Sequence, residues 1–304
     1  MTRRIAIITD EPGWHGAQLK RALRKAGYES LYVSLTDCSF DINSGRNAVT
    51  LPGFENSLPD GVFVRGVPGG SLEEVIFYLD ILHALRELGV CVYNDARSIE
   101  RTVDKAMTSF LLHQAGIATP TSWVVAGIEA AKKIVRRELA TNHQLVYKPL
   151  FGSQGKGLKL IGSLADLESA EEARGIYYLQ RFIKTGQQNA TDWRVFVING
   201  KAVTAMQRTG TGWITNVAHG ASCQPALLTP ELSQLAESAV AVLDMHYAGV
   251  DLLRDEQGQY WVIEVNSIPA WKGLQTVCEL DVSELLIKDF LAHCTQQIRM
   301  EAGG

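Results

Sequence analysis

The feature that most constrains the fold is the rhythm of residues 4 to about 95. Short apolar runs, IAIIT from Ile5, SLYVSL from Ser30, GVFVRG from Gly61 and CVYN from Cys91, alternate with segments of helical pattern. One such segment runs from about Gln18 to Lys25 and is stopped by Gly27; the other, VIFYLDILHALREL, is stopped by Gly89. Strands alternating with helices predict a parallel sheet covered by helices, here a small Rossmann-like α/β domain over residues 1–95. No G-x-G-x-x-G follows the first strand, so the fold brings no dinucleotide with it.

At 304 residues and 46% hydrophobic, the chain is long enough that a single core is not expected to serve all of it. The formal charge is −4 and no run of Lys or Arg exceeds two, which argues against nucleic acid or an anionic membrane as partner. The opening MTRRIAIITD reads as a first strand rather than a signal peptide, and no apolar stretch reaches the ~18 residues of a spanning helix. The five cysteines, Cys38, Cys91, Cys223, Cys278 and Cys294, form no C-x-x-C and read as free thiols of a cytoplasmic protein. Zinc-hydrolase and serine-hydrolase signatures are missing.

A helix is expected from Thr102 to Gln114, with Val103, Met107, Phe110 and Leu111 as its apolar face and Lys105 off that face. Further on, VYKPLFGSQGKG (Val146–Gly157) has two glycines at a phosphate-loop interval, but Leu158 and Lys159 follow where Lys and a hydroxyl are required. The apolar residues beyond Gly157 imply a return into another strand. The segment reads as a hinged hairpin tip, in which Gly152, Gly155 and Gly157 allow close approach to a ligand. A tip that binds nothing is the alternative, as a solvated lysine is for Lys105. A helix from Leu164 to Ala173 and the strand GIYYLQRFI complete this region.

The last third contains the pair DWRVFVI and AVTAMQR about an Asn199-Gly200 turn, a helix from Glu231 to His246, the hairpin GVDLLR-DEQG-QYWVIEVN, and a helix from near Val282. Glu264 interrupts an apolar strand, and a buried unpaired carboxylate is too costly to be incidental. With Asp255 to Gly258 as the turn, Asp251 falls opposite Val262 and is a diagonal neighbour of Glu264, roughly 7–8 Å away. Glu264 and Asn266 share that face. Two carboxylates and an amide suit Mg²⁺; pairing of the acids with Arg or Lys is the alternative.

These elements, in order, resemble the RimK-type α-L-glutamate ligases of the ATP-grasp superfamily. The resemblance rests on Lys105, VYKP with Lys148, GSQGKG, QRFIK (Gln180–Lys184), Asp192-Trp193-Arg194, Arg208, Thr215-Asn216, AGVDLLR and IEVNSIP, and it covers essentially the whole chain. It implies an N-terminal pre-ATP-grasp domain (1–95), a central subdomain with the lid (96–184) and a C-terminal subdomain with a metal site (185–304), the last two α+β and clasping ATP. ATP would meet Lys105, Lys148, Ser153, Gln154, Gly155, Gly157, Gln180, Arg181, Phe182, Ile183 and Asp192. Asp251, Glu264 and Asn266 would hold Mg²⁺, two ions by the family's pattern, with Mn²⁺ as a substitute. Lys148, Arg208 and Asn216 would serve catalysis, and Arg194, His219, Trp271 and Lys272 the substrates; a packing tryptophan is the alternative for Trp271.

The family joins a carboxylate to an amine through an acyl phosphate, without an enzyme nucleophile. The wording of TVDKAMTSFLL, QRFIK and NSIPAWKGLQ further resembles RimK-like proteins of tetrahydromethanopterin- and methylofuran-linked one-carbon metabolism in methylotrophs. That implies L-glutamate and a carboxylate-bearing coenzyme as substrates, and a homo-oligomer, dimer or tetramer. The alternatives are a ligase that modifies a protein C-terminus or an amino-acid carrier protein, and a non-catalytic nucleotide-binding module. One departure is Arg181, where relatives often have an acid after the glutamine.

Overall fold

The computed structural model describes residues 3–42, 48–152, 155–170, 175–186, 190–210, 212–215 and 220–302, with side chains to residue 297. The chain forms two compact units: Met1–Ile99 with Met245–Tyr247 and Ser267–Gly304, and Glu100–Asp244 with Ala248–Asn266.

The first unit opens with β1 (Arg4–Ile8), α1 (Gly13–Lys25) and β2 (Glu29–Val33), then the short pair β3 (Ser39–Phe40) and β4 (Val49–Thr50). After these come β5 (Gly61–Val64), α2 (Leu72–Glu87), β6 (Val92–Tyr93) and the start of α3 (Ala96–Val103). The sheet order is β2-β1-β5-β6, all parallel, as the alternation predicts. Ile5, Ile7, Ile8, Val62, Phe63 and Val64 are fully buried because helices cover both faces. A capping box fixes the start of α2: Ser71 Oγ accepts from the Glu74 N–H, and Glu74 accepts from the Ser71 N–H at 2.7 Å. α1 starts at Gly13, ahead of its apolar stripe, because its first turn buries only Gly16 and so leaves no periodic signal.

Asn94, wholly buried, ties the two later segments into this unit. Its Nδ2 donates to Tyr247 O and Ser267 O at 2.8 and 2.7 Å, and its Oδ1 accepts from the His246 and Tyr247 N–H groups at 2.9 and 3.3 Å. A side-chain amide so fully used is a strong local constraint.

The second unit departs from expectation at its entry. The helix expected over 102–114 is two helices, α3 and α4 (Lys105–Gln114), divided at Asp104, whose carboxylate accepts from the Ala106 and Met107 N–H groups at 2.8 and 3.2 Å. Its buried face is Thr108 and Leu112, whereas Val103, Met107 and Phe110 are 44%, 44% and 56% exposed. The break rotates the apolar stripe out of the core.

Next come β7 (Ser122–Ala126), α5 (Ile128–Ala140), β8 (Leu145–Lys148), β9 (Lys159–Ile161), α6 (Leu164–Glu168) and β10 (Ile176–Arg181), with an antiparallel sheet β7-β10-β8-β9. Ala131, Ile134 and Val135 of α5 pack on Leu145, Tyr147, Ile161 and Leu179; the sequence reading assigns no helix there. Val146 pairs with Leu160, so the glycine-rich segment is a hairpin tip between antiparallel strands, as expected. Gly155 and Gly157 have φ of +73° and +72°, a region that favours glycine. α6 ends at Glu168, short of the expected Ala173; residues 171–174 lie outside the described ones.

The other sheet contains β11 (Thr191–Ile198), β12 (Lys201–Thr209) and β13 (Ser222–Ala226), then, after α7 (Pro230–Val242), β14 (Tyr247–Arg254) and β15 (Tyr260–Asn266). Its order is β13-β12-β11-β14-β15. Asn199 and Gly200 have φ of +50° and +67°, as a tight I′ turn requires. α7 stops four residues before the expected His246, where Asp244 takes φ +58°.

The register of the last hairpin also differs. Arg254 pairs with Tyr260 and Leu252 with Val262; a bulge at Ile263 then sets Asp251 directly opposite Glu264. The pairing beside the turn lies one residue further along than expected and the bulge adds one more, and together they make the two acids a direct pair instead of a diagonal one. α8 (Lys272–Gln275) and α9 (Val282–Ala302) return the chain to the first unit. No described helix is long and apolar enough to cross a membrane.

Candidate active site

Both sheets of the second unit line one cleft. Of the residues singled out from the sequence, Lys105, Lys148, Gly155, Gln180, Arg181, Phe182, Ile183, Asp192, Arg208, Asp251 and Glu264 all line it.

Its polar wall is a row of charges across four neighbouring strands. Asp192 on β11 is paired in register with Arg208 on β12, and both are almost wholly buried. Arg208 Nε and Nη2 donate to Asp192 at 2.7 and 2.5 Å, and the Thr215 hydroxyl donates to the same carboxylate at 2.5 Å. Arg208 Nη2 also lies 3.0 Å from Asp251 Oδ2. Arg194, two residues along β11, donates from Nε and Nη2 to both Asp251 oxygens at 2.6 Å. Burial alone would raise the Asp251 carboxyl, but Arg194 and Arg208 outweigh it and hold its pKa below the usual carboxylate value. The Arg208 guanidinium is pushed above its ordinary value despite burial, by Asp251 and Asp192. Its Nη1 makes no hydrogen bond among the described residues.

Glu264 differs from these acids. It has no hydrogen bond or ion pair among the described residues, and the charges acting with it are the two lysines. Lys148, at the end of β8, is pulled down to about 8 by burial and by Lys105, partly offset by Glu264 and Asp251. Lys105, in the first turn of α4, is lowered chiefly by burial; its Nζ donates to Gly152 O at 2.8 Å, so it also touches the hairpin tip. Five cationic side chains (Lys105, Lys148, Lys156, Arg181, Arg208) face three carboxylates in this cleft, an electrostatic setting for a polyanion.

The opposite end is apolar. Val146, Phe182, Ile183, Trp213, Leu253 and Ile263 line it, with the Phe182 and Trp213 rings edge to face at 6.2 Å. Trp213, Leu253, Ile263 and Val146 are site residues that sequence reasoning missed. Leu253 and Ile263 carry no mark beyond strand alternation, and Trp213 stands in a Gly-Thr loop without periodicity. Gln180 and Arg181, the last residues of β10, also line the cleft. The Arg181 guanidinium is committed to Glu138, donating from Nε at 2.7 Å. Gln180, buried, donates to Ser122 Oγ and Tyr178 Oη at 3.1 and 3.0 Å.

Gly157, Arg194 and Asn266 stand beside the cleft rather than in its lining. Ser153, Gln154, Asn216 and His219 lie outside the described residues. Trp271 and Lys272 belong to the first unit, where Trp271 is fully buried and Lys272 exposed. The three oxygen donors fit Mg²⁺. Glu264 is unpaired, and Asn266 Nδ2 is turned to Gly249 O at 3.5 Å, which leaves its Oδ1 without a partner among the described residues. Asp251 retains lone pairs beyond those its arginines use.

The sequence matches the RimK-like ATP-grasp domain over residues 102–290 and the RimK pre-ATP-grasp domain over residues 3–99. The chain belongs to the RimK-like ATP-grasp family. The resemblance read from the ordered motifs is thereby borne out, and so is the α/β ATP-grasp fold. A tetrahydromethanopterin:α-L-glutamate ligase of Methanococcus maripaludis is 30% identical to it, over 96% of this chain and 99% of the relative. A probable α-L-glutamate ligase of Aliivibrio fischeri is 31% identical over 95% and 94%. Among solved structures, the ATP-grasp ligase PsnB with its minimal precursor superposes with a TM-score of 0.75 at 18% identity, over 96% of this chain and 100% of that one. This RimK-like chain is a ligase, of a family that uses ATP and Mg²⁺.

Proposed function

We propose that the protein adds L-glutamate to a one-carbon carrier coenzyme of the tetrahydromethanopterin or methylofuran type, as a carboxylate–amine ligase that consumes ATP. The observation that carries the chemistry is Glu264: a carboxylate with no hydrogen bond or ion pair among the described residues, beside two lysines whose charge burial disfavours and opposite an acid held by arginines. A site so arranged suits a polyanion and a divalent cation. The acceptor is argued from the Methanococcus relative, whose similarity spans both chains nearly end to end.

In this reading the apolar slot between Phe182, Trp213, Leu253 and Ile263 takes the adenine, and the hairpin tip closes over the phosphates. Asp251, Glu264 and Asn266 would hold two Mg²⁺, with Mn²⁺ as substitute; the metal supplies charge neutralisation of the phosphoryl group in flight. Lys105 and Lys148 share that task from the opposite side. An oxygen of the acceptor carboxylate attacks the γ-phosphorus as ADP leaves. The glutamate nitrogen then attacks the acyl carbon, phosphate departs and the nitrogen loses a proton. Arg208, fixed by Asp192 and Asp251, has its Nη1 left for the oxyanion of that second step. Closure of the tip keeps water from the acyl phosphate.

The parts would be a pre-ATP-grasp domain to about residue 95, a central subdomain to 184 and a C-terminal subdomain beyond, working as a cytoplasmic dimer or tetramer. The test is ADP release with mass analysis of products, using purified protein, ATP, Mg²⁺, L-glutamate and tetrahydromethanopterin or methylofuran precursors. A product heavier by one or more glutamyl residues, with coenzyme-stimulated ADP, is expected. ATP binding without turnover on these acceptors would move the reading to a protein acceptor or a regulatory module.

A further inference from the structure

A second concentration of cationic groups lies in the first unit, at the carboxyl ends of β1 and β5. In the order β2-β1-β5-β6 the chain leaves β1 toward one edge and β5 toward the other. The exits diverge, and a crevice at such a switch point is where open α/β sheets take ligands. Arg65 is the first residue after β5, its N–H donating to Ile8 O at 2.9 Å. His15 lies in the first turns of α1, which follows β1.

The Arg65 side chain is largely withdrawn from water. Its Nε is buried with no hydrogen-bond partner, and it forms no ion pair among the described residues. Its guanidinium carbon sits 5.4 Å over the Trp271 ring. A half-buried cation whose Nε is enclosed without a partner, and which has no ion pair among the described residues, marks a place where a ligand can complete the pairing. His15 is held next to it, its ring 4.6 Å from that of Trp271. The Trp271 and Lys272 N–H groups donate to His15 Nε2 at 3.1 and 3.2 Å. Nε2 is therefore an acceptor and the ring proton resides on Nδ1, which becomes a donor. Burial, Arg65 and Lys272 pull the imidazole down to about 4, so it is neutral at physiological pH. Among the described residues no carboxylate is a cause of the shift of His15 or Arg65, and the Asp10 carboxylate accepts from the Ser34 hydroxyl.

We infer that Arg65, the His15 Nδ1–H and Lys272 form an anion subsite that holds a carboxylate of one of the ligase's two substrates, L-glutamate or the acceptor. The identification of the anion rests on the ligase reading above; the geometry does not. The guanidinium fork matches a carboxylate with two parallel hydrogen bonds. Trp271 underlies the fork and fixes its plane, and the imidazole N–H adds a third donor.

The test uses the full chain with Mg²⁺ and AMP-PNP, titrated calorimetrically with L-glutamate and, separately, with tetrahydromethanopterin. Arg65→Met is expected to weaken one of these ligands roughly 10-fold or more, with Arg65→Lys intermediate, while affinity for AMP-PNP is unchanged. Which ligand weakens says whose carboxylate is held. Because the substitution removes a half-buried charge with no ion pair among the described residues, the melting temperature of the free protein should stay level or rise. In the wild type, binding of that ligand should raise the His15 pKa from about 4, read by NMR of the imidazole. A lower melting temperature with both affinities intact would make Arg65 structural and overturn the inference. Failure of the wild type to bind either carboxylate would overturn it too. A wild type that binds glutamate in an Arg65-dependent way but forms no adduct would leave the subsite standing and remove the ligase reading.

Discussion

Asp251 and Glu264 face each other directly across β14 and β15, yet only Asp251 is held by arginine, with Arg194 on both of its oxygens and Arg208 at 3.0 Å. Two adjacent carboxylates repel unless cations divide them. The arginines offset the charge of Asp251, whereas Glu264 has no ion pair among the described residues; in the proposed reading both acids would face the metal.

Glu264→Gln should therefore separate chemistry from folding. The amide keeps the shape and removes the charge, and no partner among the described residues is orphaned. ADP formation is expected to fall about 1000-fold or more, with a melting temperature within a few degrees of wild type. Activity near wild type in a steady-state ADP assay would end the metal assignment.

Arg208 behaves differently, because it compensates Asp192 and Asp251 in the core. Arg208→Met leaves two buried carboxylates short of a partner and should cost about 3–5 kcal/mol of stability, measured by urea unfolding. Arg208→Lys should recover part of the stability but lose more in kcat than in KM for ATP. A KM effect alone would remove Arg208 from the oxyanion role.

Two single-residue insertions decide this charge row, and neither is visible in a pattern of apolar residues. Counting back from the Asn199-Gly200 turn puts Asp192 opposite Gln207; the irregularity that leaves Val203 unpaired moves it opposite Arg208. Likewise Val262 and Ile263 are both apolar, so alternation gives no warning of the bulge that aligns Asp251 with Glu264. The strand–helix alternation, the glycine hairpin and the motif order were legible, since each depends on composition within a few residues. The break at Asp104, the outward turn of Met107 and Phe110, and the apolar slot at Trp213 depend on long-range packing. Local periodicity does not carry them.

Lys148 gives a pH signature. Its folded value of about 8 lies below the ordinary 10.5, so between those values the unfolded chain binds more protons than the folded one. Stability of the free protein should rise with pH through that window, by linkage. Bound polyphosphate favours the charged amine, so nucleotide binding above pH 8 should take up a proton. Calorimetry in buffers of different ionisation enthalpy reads this directly. Lys148→Met should abolish both effects; an unchanged proton uptake in that variant would assign it elsewhere.

Glu138 and Arg181 control the other end of the cleft. Glu138 is 3% exposed, on α5, and accepts from Arg181 Nε at 2.7 Å and Arg137 Nε at 3.0 Å. Both guanidinium groups lie over Trp123, at 5.8 and 5.1 Å. Burial would raise the Glu138 carboxyl, but the two arginines prevail and hold it below its ordinary value. Its stabilising effect is thus complete above the ordinary carboxylate range and is lost as pH falls through the lowered value. The pair anchors the end of β10, whose next residues, Phe182 and Ile183, line the apolar slot. Glu138→Gln should cost about 1–3 kcal/mol and raise KM for ATP more than it lowers kcat, because the slot loosens while the charge row is untouched. Exchanging the two residues, Glu138→Arg with Arg181→Glu, should recover part of the ATP affinity lost by either single change. No recovery, together with an unaltered KM in Glu138→Gln, would show that the slot is held by its apolar contacts alone.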